Sequence, residues 1–382
     1  TPIAAYQFTA DDLTDKVIED TTGNDYDAEL KGSGAEVSDG MLSLPGGEKG
    51  SDAAYVALPG AIFENQNTLT ITTWLKNETG AGDYAAMFFG TKTKHVDSAV
   101  EANMPLNYWL LNPSKGGKFK SVWTDSNNAD KPYSTETAVS NAQTSDQWAL
   151  YTTVITPERI IGYYNGEEVC NNPKTKTTTD FGTGLVGFIG RSSYDDMYYK
   201  GGVFGVKVYD EALTQEEIYD EYYNNTPPAV EKQDLYDSIA EEVMAAMLNK
   251  NDSKDAIVTD LLFTKSKRGV TLTWTSSDTA VIDAEGKVLY SGDEGKKVNI
   301  TLTGTFKGQK VFEETTAVTV QSEFSADVAE LTIPNMDDIR GNITLPKMGK
   351  YGSAITWASD KEEVISTEEK TNENYDSTPA GV

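Results

Sequence analysis

The sequence predicts an all-β protein: a sandwich over residues 1–224 followed by two copies of a smaller β module, the second of them incomplete. Three observations carry this. Short β-branched and aromatic runs recur between Gly, Asn, Asp and Ser clusters as far as about residue 222, the pattern of half-buried strands joined by tight turns. A proline-marked break, Asn224-Asn225-Thr226-Pro227-Pro228, ends that region. Beyond the break, one stretch of sequence echoes another.

In the first region Thr68 to Leu75, Trp148 to Val154 and Val203 to Tyr209 alternate with period two, which places successive side chains on opposite sheet faces. Asn165-Gly166 lies between two such runs, and a type I′ hairpin turn needs positive φ at both central positions. Thr214-Gln215-Glu216-Glu217 fits a capping box. Leu213, Ile218 and Tyr222 give the helix it opens a small apolar face, and Pro227 and Pro228 cannot continue that helix. A linker is therefore expected at 225–232, with modules at 233–322 and 323–382. A second helix is expected from Asp234 to Leu248, where Leu235, Ile239, Val243, Met244, Met247 and Leu248 recur at helical spacing. The repeat follows: Leu272-Thr273-Trp274 is echoed by Ile355-Thr356-Trp357, and Val281-Ile282 by Val364-Ile365. The second copy stops before the counterpart of Val298 to Thr303, so the chain reads as cut within a longer protein.

Composition narrows the function classes. With 382 residues, 38% of them hydrophobic, the chain is long enough to fill two or three cores without disulfides. No apolar run reaches the ~18 residues of a membrane span. Cys170 stands alone, which excludes a disulfide framework and a thiolate metal cluster. Thr1-Pro2-Ile3 reads as the start of a mature or trimmed chain. The net charge of −28 repels phosphate backbones, so nucleic acid is not an expected partner, and it repels polygalacturonate as well. Neutral sugars feel no such field. His95, the one histidine, lies in a polar, loop-like stretch and is the only base a Ser-His-Asp or Cys-His mechanism could use.

Residues 1–222 resemble the laminin-G-like, concanavalin-A-type jelly rolls attached to bacterial polysaccharide hydrolases. The resemblance is carried by Tyr6-Gln7-Phe8, Asn107 to Pro113, Gln147-Trp148 and Tyr163 to Val169, and above all by Phe188 to Tyr194 and Val208 to Thr214. Residues 233–382 resemble atrophied bacterial immunoglobulin-like modules, on the Ile-Thr-Trp-x-Ser pattern and on Ile339 to Pro346. The ending Asp376 to Val382 is similar to the module that precedes family 43 glycoside hydrolase domains. The resemblance implies a concanavalin-A-like jelly roll with one complete and one truncated immunoglobulin-like sandwich, exported to the bacterial exterior. It also implies a downstream catalytic domain acting on arabinan, arabinoxylan or galactan. Hydrolases on this jelly-roll class usually carry Glu-x-Asp-x-Glu or Glu-x-Asp-x-x-Glu on one strand. Neither occurs here, so this stretch is expected to be non-catalytic.

The expected role is binding plant polysaccharide or oligosaccharide. Sugars show a C–H face to an aromatic ring and a hydroxyl rim to polar groups. Tyr84, Tyr108, Trp123, Tyr133, Arg191, Tyr194 and Asp195 are the candidates, with Asp83, Asn107 and Asn128 as further rim groups. Tyr108 and Trp109 must face opposite ways, while Trp74, Trp148, Trp274 and Trp357 are expected in cores. Asp20 and Asn24, in Asp20-Thr21-Thr22-Gly23-Asn24, offer hard oxygens for a structural calcium or else form an Asx turn. In the related jelly rolls that calcium loop is completed by an Asp at the position matching Phe204. The two modules would act as spacers. The alternatives are a structural accessory domain without sugar affinity, or a cell-surface adhesin.

Overall fold

The computed structural model describes residues 1–78, 84–141, 146–333, 336–371 and 377–378. Asp83, Asp376 and Pro379 to Val382, named above, lie outside them. The chain divides into two compact units, Thr1–Leu235 and Tyr236–Val382.

Counted along the first unit, the strands are β1 (Ala4–Tyr6), β2 (Val17–Ile18), β3 (Ala28–Lys31), β4 (Glu36–Ser38), β5 (Met41–Gly47), β6 (Tyr55–Leu58), β7 (Leu69–Asn77) and β8 (Met87–Gly90). Then come β9 (Tyr108–Lys115), β10 (Lys118–Trp123), β11 (Val139–Asn141), β12 (Trp148–Ile155), β13 (Arg159–Tyr164), β14 (Glu167–Pro173), β15 (Val186–Ile189) and β16 (Tyr198–Tyr209). They form two eight-stranded sheets. The first runs β14-β13-β12-β7-β16-β5-β4, with β1 also on β16; the second runs β11-β10-β9-β8-β15-β6-β3-β2. The expected hairpin turn is present, with Asn165 at φ 50° and Gly166 at φ 80°.

The core lies between the sheets. Ile71, Leu75, Tyr151, Val203 and Val206 of the first sheet meet Phe89, Trp109, Leu111, Phe119 and Trp123 of the second. Phe119 stacks on Tyr151 across the gap at 5.8 Å. The outward side of the first sheet is half covered by the helix Gln215–Asn224, which Thr214 and Glu217 open with the expected capping box. Its Tyr222 stacks on Trp74 at 5.6 Å, and Leu213 and Ile218 close over Val154, Tyr163 and Tyr209. Trp74 is thus buried, beneath the helix rather than between the sheets. Trp148 departs from expectation: it sits half-buried on the end of that same outward face beyond the helix.

The helix Lys232–Ala246, most of it in the second unit, begins inside the stretch expected to be a linker, and its buried Tyr236, Ile239, Ala240 and Val243 form the apolar face that packs. The four-stranded sheet of β17 (Ser266–Lys267), β18 (Val270–Ser276), β19 (Lys296–Phe306) and β20 (Gln309–Val320) makes the first module. Trp274 is buried there, stacked on Phe263 at 4.6 Å, with its indole N–H donating to the Thr264 carbonyl at 2.9 Å. In the second copy the Trp357 N–H donates to the Pro346 carbonyl at 2.7 Å, so the local repeat holds. Trp357 is only half-buried, however, and Val364 is 64% exposed where its counterpart Val281 is 1% exposed. Among the described residues no pair of long strands stands where β19 and β20 cover Trp274. The expectation that Trp357 is core is corrected on that ground.

Candidate functional site

The site is built on the outward face of the second sheet. Tyr108, Leu110 and Asn112 share that face because they alternate along β9, while Trp109 and Leu111 point inward. The register Asn112↔Lys120 brings the Lys120 side chain of β10 beside them. The chain then leaves β10 and returns through a 3₁₀ turn, Pro132–Thr135, with Pro132 at its first position. A backbone bridge between Thr124 and Glu136 fixes where the turn ends. From the opposite side comes the loop after β15, where the Tyr194 N–H donates to the Ser192 hydroxyl at 3.1 Å. Ala85, Tyr108, Leu110, Asn112, Lys120, Tyr133, Glu136, Tyr194 and Asp196, with Lys115 at the edge, enclose a pocket of about 310 Å³. That volume fits a saccharide unit or two rather than a large cofactor.

Its polar groups form one chain of contacts. The Tyr194 hydroxyl donates to the Tyr108 hydroxyl at 3.1 Å, and Tyr108 donates to a Glu136 carboxylate oxygen at 2.8 Å. The Lys120 ammonium holds the other Glu136 oxygen at 3.0 Å. Burial, then the Glu136 charge, pushes the Tyr108 hydroxyl far above the ordinary phenol range, so it stays a donor. Burial likewise raises the Tyr194 hydroxyl. A carboxylate gripped by an ammonium and a phenol is a fixed acceptor for a ligand hydroxyl. Tyr133, 50% exposed, supplies the open aromatic ring.

Most of the sequence-derived candidates gather here. Tyr108 and Tyr194 meet edge to face at 5.5 Å inside the pocket, with Tyr133 at its mouth. An aromatic layer continues across the sheet: Tyr108, Phe88 and Phe188 stack at 5.8 and 6.2 Å, and Tyr55 meets Phe188 at 5.7 Å. Arg191 lies on the far end of this layer, its guanidinium over Tyr55, Phe188 and Tyr198 at 4.9 to 5.3 Å. Asp195 is outside the pocket, 3.4 Å from Lys49 and 3.9 Å from the Nδ1 of half-buried His95. Tyr84 packs on the same loop, its hydroxyl donating to the Met197 sulfur at 2.8 Å.

Trp123 is a correction: it is fully buried between the sheets, stacked on Phe181 at 4.3 Å, and reaches no surface. Asn107 and Asn128 hold the scaffold, accepting from Lys176 at 2.8 Å and from the Asp130 N–H at 2.9 Å. Glu136, Lys120 and Asp196 were missed, since an acidic residue in Thr135-Glu136-Thr137 has no spacing signal among 60 Asp and Glu.

The Asp20 loop fits the turn reading. The Asp20 carboxylate accepts from the N–H groups of Ala5, Thr22 and Tyr26 and from the Thr22 hydroxyl, while the Asn24 amide donates to the Ile3 carbonyl. Burial raises its pKa, and those donors together outweigh burial and leave it below the ordinary value. With its acceptor positions taken by three backbone N–H groups and the Thr22 hydroxyl, Asp20 does not fit as a calcium ligand.

Comparison with known proteins follows the same division. Residues 49–219 match the family described as the concanavalin A-like lectin/glucanases superfamily. Residues 238–323 and 324–378 each match the atrophied bacterial Ig domain. The chain is 25% identical over 419 aligned residues to an alpha-L-arabinofuranosidase of Bifidobacterium longum subsp. longum. All of this chain aligns, but it spans only 34% of that protein. Among solved structures, domain 4 of AbnA, a GH43 extracellular arabinanase from Geobacillus stearothermophilus in complex with arabinotriose, is 18% identical with a TM-score of 0.42. That alignment covers 58% of this chain and 97% of the other. Trypanosoma rangeli sialidase in complex with sialic acid is 13% identical with a TM-score of 0.38, covering 57% of this chain and 32% of the other. The chain thus combines a concanavalin A-like jelly roll with immunoglobulin-like modules that follow it.

Proposed function

We propose that the first domain binds a neutral saccharide in the pocket between Tyr108, Tyr133, Glu136 and Tyr194, and that the chain is the non-catalytic targeting part of a secreted bacterial polysaccharide-degrading enzyme. The observation that carries this is the pairing of an open ring, Tyr133, with an acceptor held in place by Lys120 and Tyr108. A sugar ring stacks on the former and directs a hydroxyl at the latter. Both Glu136 oxygens are already engaged, one by Tyr108 and the other by Lys120, an arrangement that suits accepting a ligand hydrogen bond rather than the proton donation that glycoside cleavage demands. Similarity to an arabinofuranosidase supports arabinose- or galactose-containing plant glycans as the ligand, and a catalytic domain elsewhere in the same chain. In this reading the immunoglobulin-like modules are spacers, and a tethered binder raises the glycan concentration seen by the catalyst.

Affinity electrophoresis of the full chain against arabinan, arabinoxylan, galactan and arabinogalactan tests this. Retardation by at least one of them, weakened in Glu136→Gln, is the expected result. Unchanged mobility in all four would leave a structural accessory domain as the better account.

A further inference from the structure

The end of the other sheet that lies beyond the helix Gln215–Asn224 holds a second constellation. Successive registers put Glu36 of β4 opposite Ser43 of β5, Ser43 opposite Gly202 of β16, Gly202 opposite Lys76 of β7, and Lys76 opposite Trp148 of β12. These five residues form one row across five strands, and they face outward: their neighbours Leu42, Leu75, Ala149 and Val203 lie in the core between the sheets. At about 4.8 Å per strand, the four steps span roughly 19 Å.

Gly202 makes the middle of this row a trough. A Cβ there would come within 2.6 Å of the Trp148 ring, so the indole lies directly over the bare glycine backbone. The ring is half-buried and lines a depression of about 300 Å³ together with Glu36, Ser43, Lys76 and Glu78. No group of the described residues accepts from the indole N–H, which is not buried. The free donor therefore opens beside the ring face. Of the rim charges, Glu78 is paired with Lys200 at 3.2 Å, while Glu36 and Lys76 have no charged partner among the described residues.

We infer that this row is a second saccharide-binding surface, on the opposite side of the sandwich from the pocket, taking a short run of a neutral glycan chain across the strands. The inference rests on the reading that this domain binds sugars. The indole offers a stacking face and an unpaired donor, Ser43 and Lys76 offer hydroxyl and ammonium groups along the trough, and Glu36 closes its end as an acceptor. A protein-docking face would bury a wide apolar patch, whereas here the apolar part is confined to the Trp148 ring with Met41, Leu42 and Ala229, rimmed by Glu36, Ser43, Lys76 and Glu78. Two sites on opposite faces would let one domain engage two strands of a polysaccharide, so avidity exceeds either single affinity.

The test is a titration of the full chain, ¹⁵N-labelled at its six tryptophans, with arabinotriose, xylotriose and galactotriose. Concentrations run to about 10 mM, past the millimolar dissociation constant expected of one stacked ring. Trp148→Phe assigns the indole resonance. A saturable shift of the Trp148 indole signal with at least one of the three is expected, retained in Glu136→Gln and lost in Gly202→Val, where the trough is filled. A silent Trp148 alongside binding that Glu136→Gln weakens overturns this inference and leaves the pocket reading standing. Silence of Trp148 with no binding at the pocket overturns both. A Trp148 shift that vanishes in Glu136→Gln also overturns the inference, because it then reports the pocket.

Discussion

On strands β9 and β10 the inward and outward residues differ in kind although they are neighbours in sequence. Inward go Trp109, Leu111, Phe119 and Trp123, packed against the facing sheet. Outward go Tyr108, Lys120 and Val122, with Glu136 and Tyr194 brought over them by loops. The inward set carries large rings and almost no polar contact beyond the Trp109 N–H donating to the Ser121 hydroxyl at 3.2 Å. The outward set is also aromatic, but each of its hydroxyls is tied into a chain ending on one carboxylate. On the proposed function, the difference separates stability from recognition: the same residue type stabilises on one face and would meet a ligand on the other.

Substitutions break the comparison in graded steps. Trp123→Ala empties a site inside the core and should cost about 3–5 kcal/mol of stability in urea denaturation, while the folded fraction keeps its glycan affinity. Glu136→Gln should do the reverse. Losing a charged acceptor is worth about 1.5–3 kcal/mol, so glycan affinity should fall ten- to a hundredfold by calorimetry with only a minor change in stability. Tyr133→Ala removes an exposed ring and should weaken binding several-fold, about 0.5–1.5 kcal/mol, with stability within about 0.5 kcal/mol of the parent.

A smaller effect distinguishes the edge of the core. Lys174 is buried, its ammonium 4.5 Å above the Trp123 ring and donating to the carbonyls of Pro157 and Lys176. Burial pushes it down to about 8, against the opposing pull of Asp125 and Asp180. Between that value and its ordinary 10.5, the unfolded chain holds the proton and the folded chain does not, so this group makes stability rise with pH. The wild type minus Lys174→Met difference in melting temperature should therefore increase between pH 8 and about 9.5. Last, since the Asp20 oxygens are taken by backbone N–H groups and the Thr22 hydroxyl, exchanging calcium for a chelator should move the melting temperature by no more than about 1 °C.

Much of the scaffold was legible because it follows from local rules. The Asn165-Gly166 turn and the Thr214–Glu217 capping box each need only adjacent residues and the backbone. Alternation also shows that Tyr108 and Trp109 part ways, but periodicity cannot name the inner face, and Trp123, kept as a binding candidate, lies in the core. Trp148 misled for a related reason: its strand is buried on both sides near Trp74, where the helix Gln215–Asn224 lies, and open farther along. Glu136 and Lys120 were invisible because 16 residues separate them and only the β10 register and the returning loop unite them. Trp357 followed from the repeat, and a repeat transmits a residue's local bonds but not the strands that cover it.

The most direct test of the central claim is a crystal structure of the chain grown with the oligosaccharide that binds best. One sugar ring is expected against Tyr133, with a hydroxyl within hydrogen-bond distance of the Glu136 carboxylate. An oligosaccharide ordered elsewhere, with the pocket between Tyr108 and Tyr194 left to solvent, would contradict it.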